Sequence, residues 1–193
     1  MPLPGDPRPL RADARRNRDA VLRAAIEVLR IDPTASMDTI AEAAGVARRT
    51  AFRSFAGRDE LVRAAHLTTL AAVRATLEAA APPGEVARLG DLVAAALSIG
   101  DDYGLLVSID PTTTDPDLRT ELDAITRLLE DVVAAARERG EVRRDLPVDW
   151  LALLLLQVIA TVLETGPVAD AAGRLELVLA TYLHGVGGSP ATG

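Results

Sequence analysis

SMDTIAEAAGVARRTAFRSFAGRDEL, which runs from Ser36 to Leu61, contains two short helical patterns separated by a glycine. Ile40, Ala41 and Ala44 share one face of the first pattern, so that face can pack against the second helix. Two short helices joined by a tight turn are typical of a helix-turn-helix, whose second helix enters the major groove of DNA. The stretch therefore predicts a DNA-binding element.

We predict the turn at Gly45, because the residue after a helix often takes a positive φ, which glycine adopts at least cost. In the second helix Ala51 and Phe55 are four residues apart and point inward. The other faces of that helix carry Arg48, Arg49 and Arg53. These arginines are predicted to reach solvent or phosphate.

The same region resembles the TetR family of bacterial transcriptional regulators. The motifs that carry the resemblance are RDAVLRAA (18–25), IAEAAGV (40–46), ARRTAFRSF (47–55) and GRDEL (57–61). As a set these motifs are specific, and they cover about residues 11–65. The remainder resembles the family in its helical layout and in the segment GEVRRDLP (140–147).

The composition excludes several classes of protein. The 193 residues are 49% hydrophobic but only 3% aromatic, and the abundant alanine and leucine favour helices over strands. The absence of cysteine excludes a disulfide scaffold, a thiol nucleophile and a thiolate metal site. With two histidines, no Gly-rich phosphate loop and no metal-ligand pair, we expect neither an enzyme nor a cofactor or metal site.

The charge is unevenly distributed, although the net charge is −7. The chain has 12 arginines and nine acidic residues up to Arg63, but nine arginines and 19 acidic residues after it. A mildly basic head on an acidic body concentrates attraction to phosphate at one end.

We expect an all-α fold of about nine helices in two domains. Residues 13–58 form a three-helix DNA-binding domain with the helix-turn-helix, and residues 59–187 form a helical ligand-binding and dimerisation domain. A long helix from Asp59 to about Ala80 opens the second domain, and a separate short helix is expected at 101–109. Residues 1–12 and 188–193 are predicted to be a mobile tail and a disordered tail.

The last two helices are predicted to form a homodimer interface. Residues 150–163 are apolar nearly all round, and one subunit has too few neighbouring helices to cover such a helix. The final helix, about 169–185, carries an apolar stripe, so both helices would pair with their copies as a four-helix bundle. The apolar run is too short for a membrane span of about 20 residues. We therefore expect no membrane partner and a cytoplasmic location.

The resemblance implies roles for individual residues at the DNA. Arg48 and Arg49 match positions that read base edges, and Thr50 matches one that meets phosphate. Phe52 stands where the family usually has tyrosine, and Ser54 where it often has histidine. Arg58 matches a lysine that contacts phosphate. Core packing for Phe52, and a solvated position beside Glu60 for Arg58, are the alternatives.

Four arginines near the start of the first helix, Arg11, Arg15, Arg16 and Arg18, have two open interpretations. The helix macrodipole disfavours cations there, so contact with phosphate is one reason for their presence. A solvated charged face is the other.

The candidate effector contacts are His66, Thr69, Tyr103, Trp150 and Gln157, each of which has ordinary core or surface packing as its alternative. We expect an unknown small-molecule effector bound in the acidic body to tilt the helix that starts at Asp59. This tilt would change the distance between the two recognition helices of the dimer and release DNA.

The expected function is therefore a ligand-responsive regulator that binds a palindromic operator in double-stranded DNA as a homodimer, with repression as the family's habit. The alternative is a helical dimeric interaction protein whose helix-turn-helix does not read DNA specifically. Neither the operator nor the effector follows from the sequence.

Overall fold

The computed structural model describes residues 7–82, 88–103, 113–165 and 170–186, and these residues form eight helices. The helices are α1 Pro7–Ile31, α2 Met37–Ala43, α3 Arg48–Ser54, α4 Arg58–Ala80, α5 Leu89–Tyr103, α6 Pro116–Glu138, α7 Val148–Thr165 and α8 Ala171–Val186. The all-helical prediction is confirmed. The chain divides into two compact units, residues 1–69 and 70–193, with the division inside α4.

The helix α1 begins at Pro7 and not at the expected Asp13, so residues 7–12 of the predicted tail are helical. Prolines fit the first turn of a helix because their missing N–H has no intrahelical partner there. The prolines at 7 and 9 therefore start this helix and do not exclude it. Residues 1–6 and 188–193 of the two predicted tails lie outside the described residues.

The predicted start of a separate short helix at Asp101 is wrong, because α5 continues without a break to Tyr103. Gly100 remains helical within a close helix contact: a Cβ at this position would overlap the side chain of Leu163 on α7. The glycine therefore permits two helices to approach and does not end one. Residues 104–109 of the predicted helix lie outside the described residues.

In the first unit, α2 and α3 are joined as the sequence predicts. The Thr39 N–H donates to Ser36 Oγ at 3.1 Å, which makes Ser36 the N-cap of α2. Past the end of α2, Gly45 has a φ of +66°. The Gly45 N–H donates to the Glu42 carbonyl, and the Val46 N–H to the Ala41 carbonyl, both at 3.0 Å. This pair of bonds is a Schellman motif, which ends α2 and redirects the chain into α3.

The core of the first unit is built from small and branched side chains of all four of its helical segments. Its fully buried members are Val21 and Ala25 of α1, Ile40 of α2, Ala51 of α3, and Leu61 and Ala65 of α4. Phe55, directly after α3, is also buried. The inward positions predicted for Ala51 and Phe55 are thus confirmed, and they fix which face of α3 points outward.

Arg18 of α1 braces the end of α3. Its guanidinium lies 3.9 Å from the centre of the Phe55 ring and donates to the Ser54 carbonyl and, at 3.3 Å, to Glu60. Glu60 in turn accepts the Ala56 N–H at 2.7 Å, and this bond together with Arg18 lowers the pKa of the Glu60 carboxyl. The backbone groups freed at the end of α3 are therefore satisfied by side chains.

In the second unit, α5 packs against α7 and α8, and α6 packs against α7. Tyr182 of α8 is buried and donates to the Leu151 carbonyl at 3.0 Å, and burial raises the pKa of its phenol to about 12. Arg174 of α8 forms a two-pronged ion pair with Asp101 of α5, with N–O distances of 2.5 and 2.6 Å. These contacts fix α8 on α5 and α7.

The outer face of α7 exposes large apolar side chains among the described residues. Trp150, Leu153 and Leu156 are 49%, 55% and 37% exposed. Among the described residues α7 is the one helix long and apolar enough to cross a membrane by length and composition, a test that the core helices of soluble proteins also pass. The described residues therefore do not cover this helix on every side, although its apolar sequence predicts such cover.

We expect Gly45→Ala to lower the free energy of unfolding by about 1–2 kcal/mol, because an alanine is strained at positive φ. No neighbouring atom lies within 4 Å of a Cβ built there, so the effect isolates backbone strain. Urea unfolding followed by circular dichroism measures it. Gly45→Asn is the matched control and should cost less, since asparagine tolerates this conformation. Equal stability of the alanine variant and the original chain would contradict the prediction.

Candidate nucleic-acid interface

The outward surface of α3 carries four of the predicted contact residues. Arg48, Arg49, Phe52 and Arg53 are all exposed, with Phe52 41% exposed. Arg48 and Phe52 are one helical turn apart, as are Arg49 and Arg53, so they form two adjacent stripes. The core-packing alternative for Phe52 is therefore wrong, because its ring lies at the surface.

Arg48 has two neighbours in the first unit. Its Nη1 lies 2.7 Å from Asp38 Oδ2 in the first turn of α2, and its guanidinium lies 5.3 Å from the centre of the Phe52 ring. The sequence reasoning missed Asp38, because a contact across the turn between two helices has no periodic signal. An acid in the first turn of α2 also interacts favourably with that helix's dipole.

Thr50 and Ser54 are half-buried and bonded within α3. The Thr50 N–H donates to the Ala47 carbonyl at 2.7 Å, and Ser54 Oγ donates to the Thr50 carbonyl at 2.9 Å. The Ser54 hydroxyl therefore already has an acceptor inside its own helix. A phosphate contact for either residue stays a prediction.

Arg58 is directed at the loop before α2 and not at Glu60. Its Nε donates to the Ala35 carbonyl at 2.9 Å, and its Nη2 donates to the Pro33 carbonyl. These bonds tie the start of α4 to the start of α2. Arginine has five N–H donors, so a phosphate contact by the remaining donors stays a prediction.

The arginines early in α1 differ from one another. Arg16 pairs with Asp13, and Arg18 has the bracing role described above, which neither sequence-based interpretation includes. Arg15 is exposed. The side chain of Arg11 lies outside the described residues.

The five candidate effector contacts are divided between the two units. In the first unit His66 is half-buried, and burial lowers the pKa of its imidazole. Thr69 is fully buried, and its Oγ1 has no hydrogen-bond partner among the described residues. In the second unit Tyr103 is half-buried at the end of α5, whereas Trp150 and Gln157 lie on the exposed face of α7.

Two cavities of the second unit are lined by other residues. One, of about 400 Å³, follows the outer face of α8 and includes Leu175, Leu179 and Leu183. The other, of about 700 Å³, lies where Arg88 and Arg139 approach the same α8 leucines, Leu179 and Leu183. In the part of the chain that the structure describes, no three His, Cys, Asp or Glu side chains are grouped to hold a metal ion.

Comparison with known proteins gives a consistent result. The family model for bacterial regulatory proteins of the tetR family matches residues 21–65, which contain α2, α3 and the start of α4. The HTH-type transcriptional repressor LfrR of Mycolicibacterium smegmatis is 37% identical over 132 residues, covering 65% of this chain and 68% of that protein.

Solved structures extend the similarity to the whole fold. The TetR-like regulator LfrR from Mycobacterium smegmatis, in complex with proflavine, superposes with a TM-score of 0.70 at 26% identity, covering 89% of this chain and 97% of that one. A tetR-family regulatory protein from Rhodococcus RHA1 has a TM-score of 0.74 at 17% identity, covering 90% and 98%, and shows the fold alone.

Three features indicate a DNA-binding regulator: the helix-turn-helix of the first unit, the exposed arginines of α3 and the similarity to LfrR. Members of the family are DNA-binding regulators of transcription and not enzymes. The chain belongs to the TetR family of bacterial transcriptional regulators.

Proposed function

We propose that this regulator is a cytoplasmic homodimeric repressor, which binds a palindromic operator through α3 and is released by a small-molecule effector. The observation that carries the proposal is the outward surface of α3, whose arginines stand on a helix held rigidly by Gly45 and by buried Ala51 and Phe55. A helix presented in this way suits the major groove.

Arg49 and Arg53 are the contacts proposed to dominate the DNA interface. Both are exposed, and neither has a hydrogen-bond or ion-pair partner among the described residues, so binding to DNA breaks no existing interaction. Arginine binds guanine O6 and N7 through two parallel N–H groups. The chain carries a net positive charge up to Arg63 and a net negative charge after it. This distribution would direct the N-terminal end of the chain to DNA.

The dimer is proposed to form through the outer faces of α7 and α8. Leu153 and Leu156 of α7 are exposed, and Leu175 and Leu179 of α8 line an open apolar cavity. Exposed apolar surface of this kind marks an interaction site, and a two-fold axis would cover it with its own copy. Trp150 and Gln157 lie on the same face of α7, which supports a place in this interface over one in an effector pocket.

The effector is proposed to act through α4, the helix that belongs to both units. Half-buried His66 and the unpartnered hydroxyl of Thr69 supply polar groups on this helix. Tyr103 remains a proposed contact. Because the relative LfrR was solved with proflavine, proflavine is the first probe to titrate against the operator complex.

Arg49→Ala should weaken binding to the operator by about 5- to 150-fold. This range corresponds to a loss of about 1–3 kcal/mol of binding free energy, which is typical of a two-pronged arginine contact with guanine. Fluorescence anisotropy with duplexes from the intergenic DNA upstream of the gene measures it. Binding of the original chain should also fall steeply with salt. Arg23→Ala, which removes an exposed arginine of α1, is the matched control and should leave sequence preference intact. The interaction-protein alternative would be favoured if DNA binding were the same for the original chain and the Arg49→Ala variant, and if it depended neither on the sequence of the duplex nor on salt.

Leu153→Glu should convert the dimer to a folded monomer, because it places a charge in the proposed interface at a position exposed within one chain. Sedimentation equilibrium measures the mass, and thermal unfolding checks that the fold survives. Thr126→Glu, at an exposed position of α6, is the control and should remain dimeric. A Leu153→Glu variant that stays fully dimeric would place the interface elsewhere.

A further inference from the structure

Three side chains at the junction of α2 and α3 form a surface cluster, which we call the Arg48 clamp: Asp38, Arg48 and Phe52. The Asp38 carboxylate lies 2.7 Å from Arg48 Nη1, and the Phe52 ring centre lies 5.3 Å from the Arg48 guanidinium carbon. Arg48 is thus held from two sides, by a carboxylate on α2 and by an aromatic ring one turn further along α3.

The clamp leaves one edge of the guanidinium available. Asp38 uses Nη1, while the Nε and Nη2 groups of Arg48 have no partner among the described residues. Nε–H and Nη2–H are parallel donors in a fixed plane. This spacing matches the O6 and N7 acceptors that guanine presents in the major groove.

From this geometry we propose that Asp38 is a positioning residue for specificity, which holds Arg48 in the orientation that reads a guanine and keeps it from phosphates. The proposal rests on the proposed DNA-binding function. Phe52 contributes by supporting the guanidinium with its ring face, a role that needs no phenolic hydroxyl.

The exposure of the Asp38–Arg48 ion pair indicates that it contributes to recognition more than to stability. The side chains of Arg48 and Asp38 are 68% and 53% exposed, and ion pairs this exposed add little to stability. Holding a long side chain in one orientation before binding removes an entropic cost from recognition. The Asp38 carboxylate also repels phosphate, so a contact of Arg48 with the DNA backbone becomes less favourable. Both effects act on the choice of base more than on total affinity.

The test uses a pool of random-sequence duplexes, so the operator need not be known in advance. After selection by the original chain, we expect guanine at one defined position of each half-site. The Arg48→Ala variant should lose this preference. The Asp38→Ala variant should weaken it by about threefold to tenfold at the same position, while its binding to a scrambled duplex rises or stays constant.

Two controls separate positioning from stability. Glu42→Ala removes an exposed carboxylate from the same helix α2 and should leave the guanine preference unchanged. Asp38→Glu keeps the carboxylate and should restore most of the preference. In the double variant Asp38→Ala, Arg48→Ala, the preference should equal that of Arg48→Ala alone, because Asp38 acts only through Arg48.

The outcomes distinguish this inference from the proposed function. If the original chain selects no sequence, the DNA-binding proposal fails and the role of Asp38 fails with it. If the original chain selects a sequence but Asp38→Ala keeps the full guanine preference, or if the two substitutions act additively, only the positioning role is overturned.

Discussion

The structure of the first unit depends on the Schellman turn at Gly45, because this turn fixes the direction in which α3 leaves α2. Once α3 has that direction, Ala51 and Phe55 pack in the core. The opposite face of the helix is therefore exposed to solvent. The outward position of the arginines is thus a consequence of packing Ala51 and the large ring of Phe55 into the core. Arg18 and Glu60 complete the arrangement by satisfying the backbone groups at the end of α3.

The second unit differs from the first, since large apolar side chains of α7 remain exposed at its surface. The buried Tyr182 and the ion pair of Arg174 with Asp101 hold α8 in place, yet leucines of α7 are exposed and leucines of α8 line an open cavity. In the proposed homodimer, a second copy of the chain covers this surface and supplies the second recognition helix. Dimerisation and operator symmetry would then have the same physical origin.

The helices were predictable wherever a local signal marked their ends, as with Ser36, Gly45 and the acidic first turn of α4. The start of α1 at Pro7 and the continuation of α5 to Tyr103 were not predicted. Proline is compatible with the first turn of a helix, and Gly100 stays helical in a close contact with Leu163. Periodicity placed Arg48 at the surface. It could not predict the contact of Arg48 with Asp38 or that of Arg18 with Ser54, since each of these contacts joins two different helices.

The central claim is that two copies of the α3 surface bind one palindromic site through charge and base contacts together. The most direct measurement is the salt dependence and stoichiometry of binding to a selected duplex and to a scrambled one. The account predicts two chains per selected duplex, a steep fall of affinity with salt on both duplexes, and a large preference for the selected sequence. One chain per duplex, or equal affinity for both sequences at every salt concentration, would contradict it.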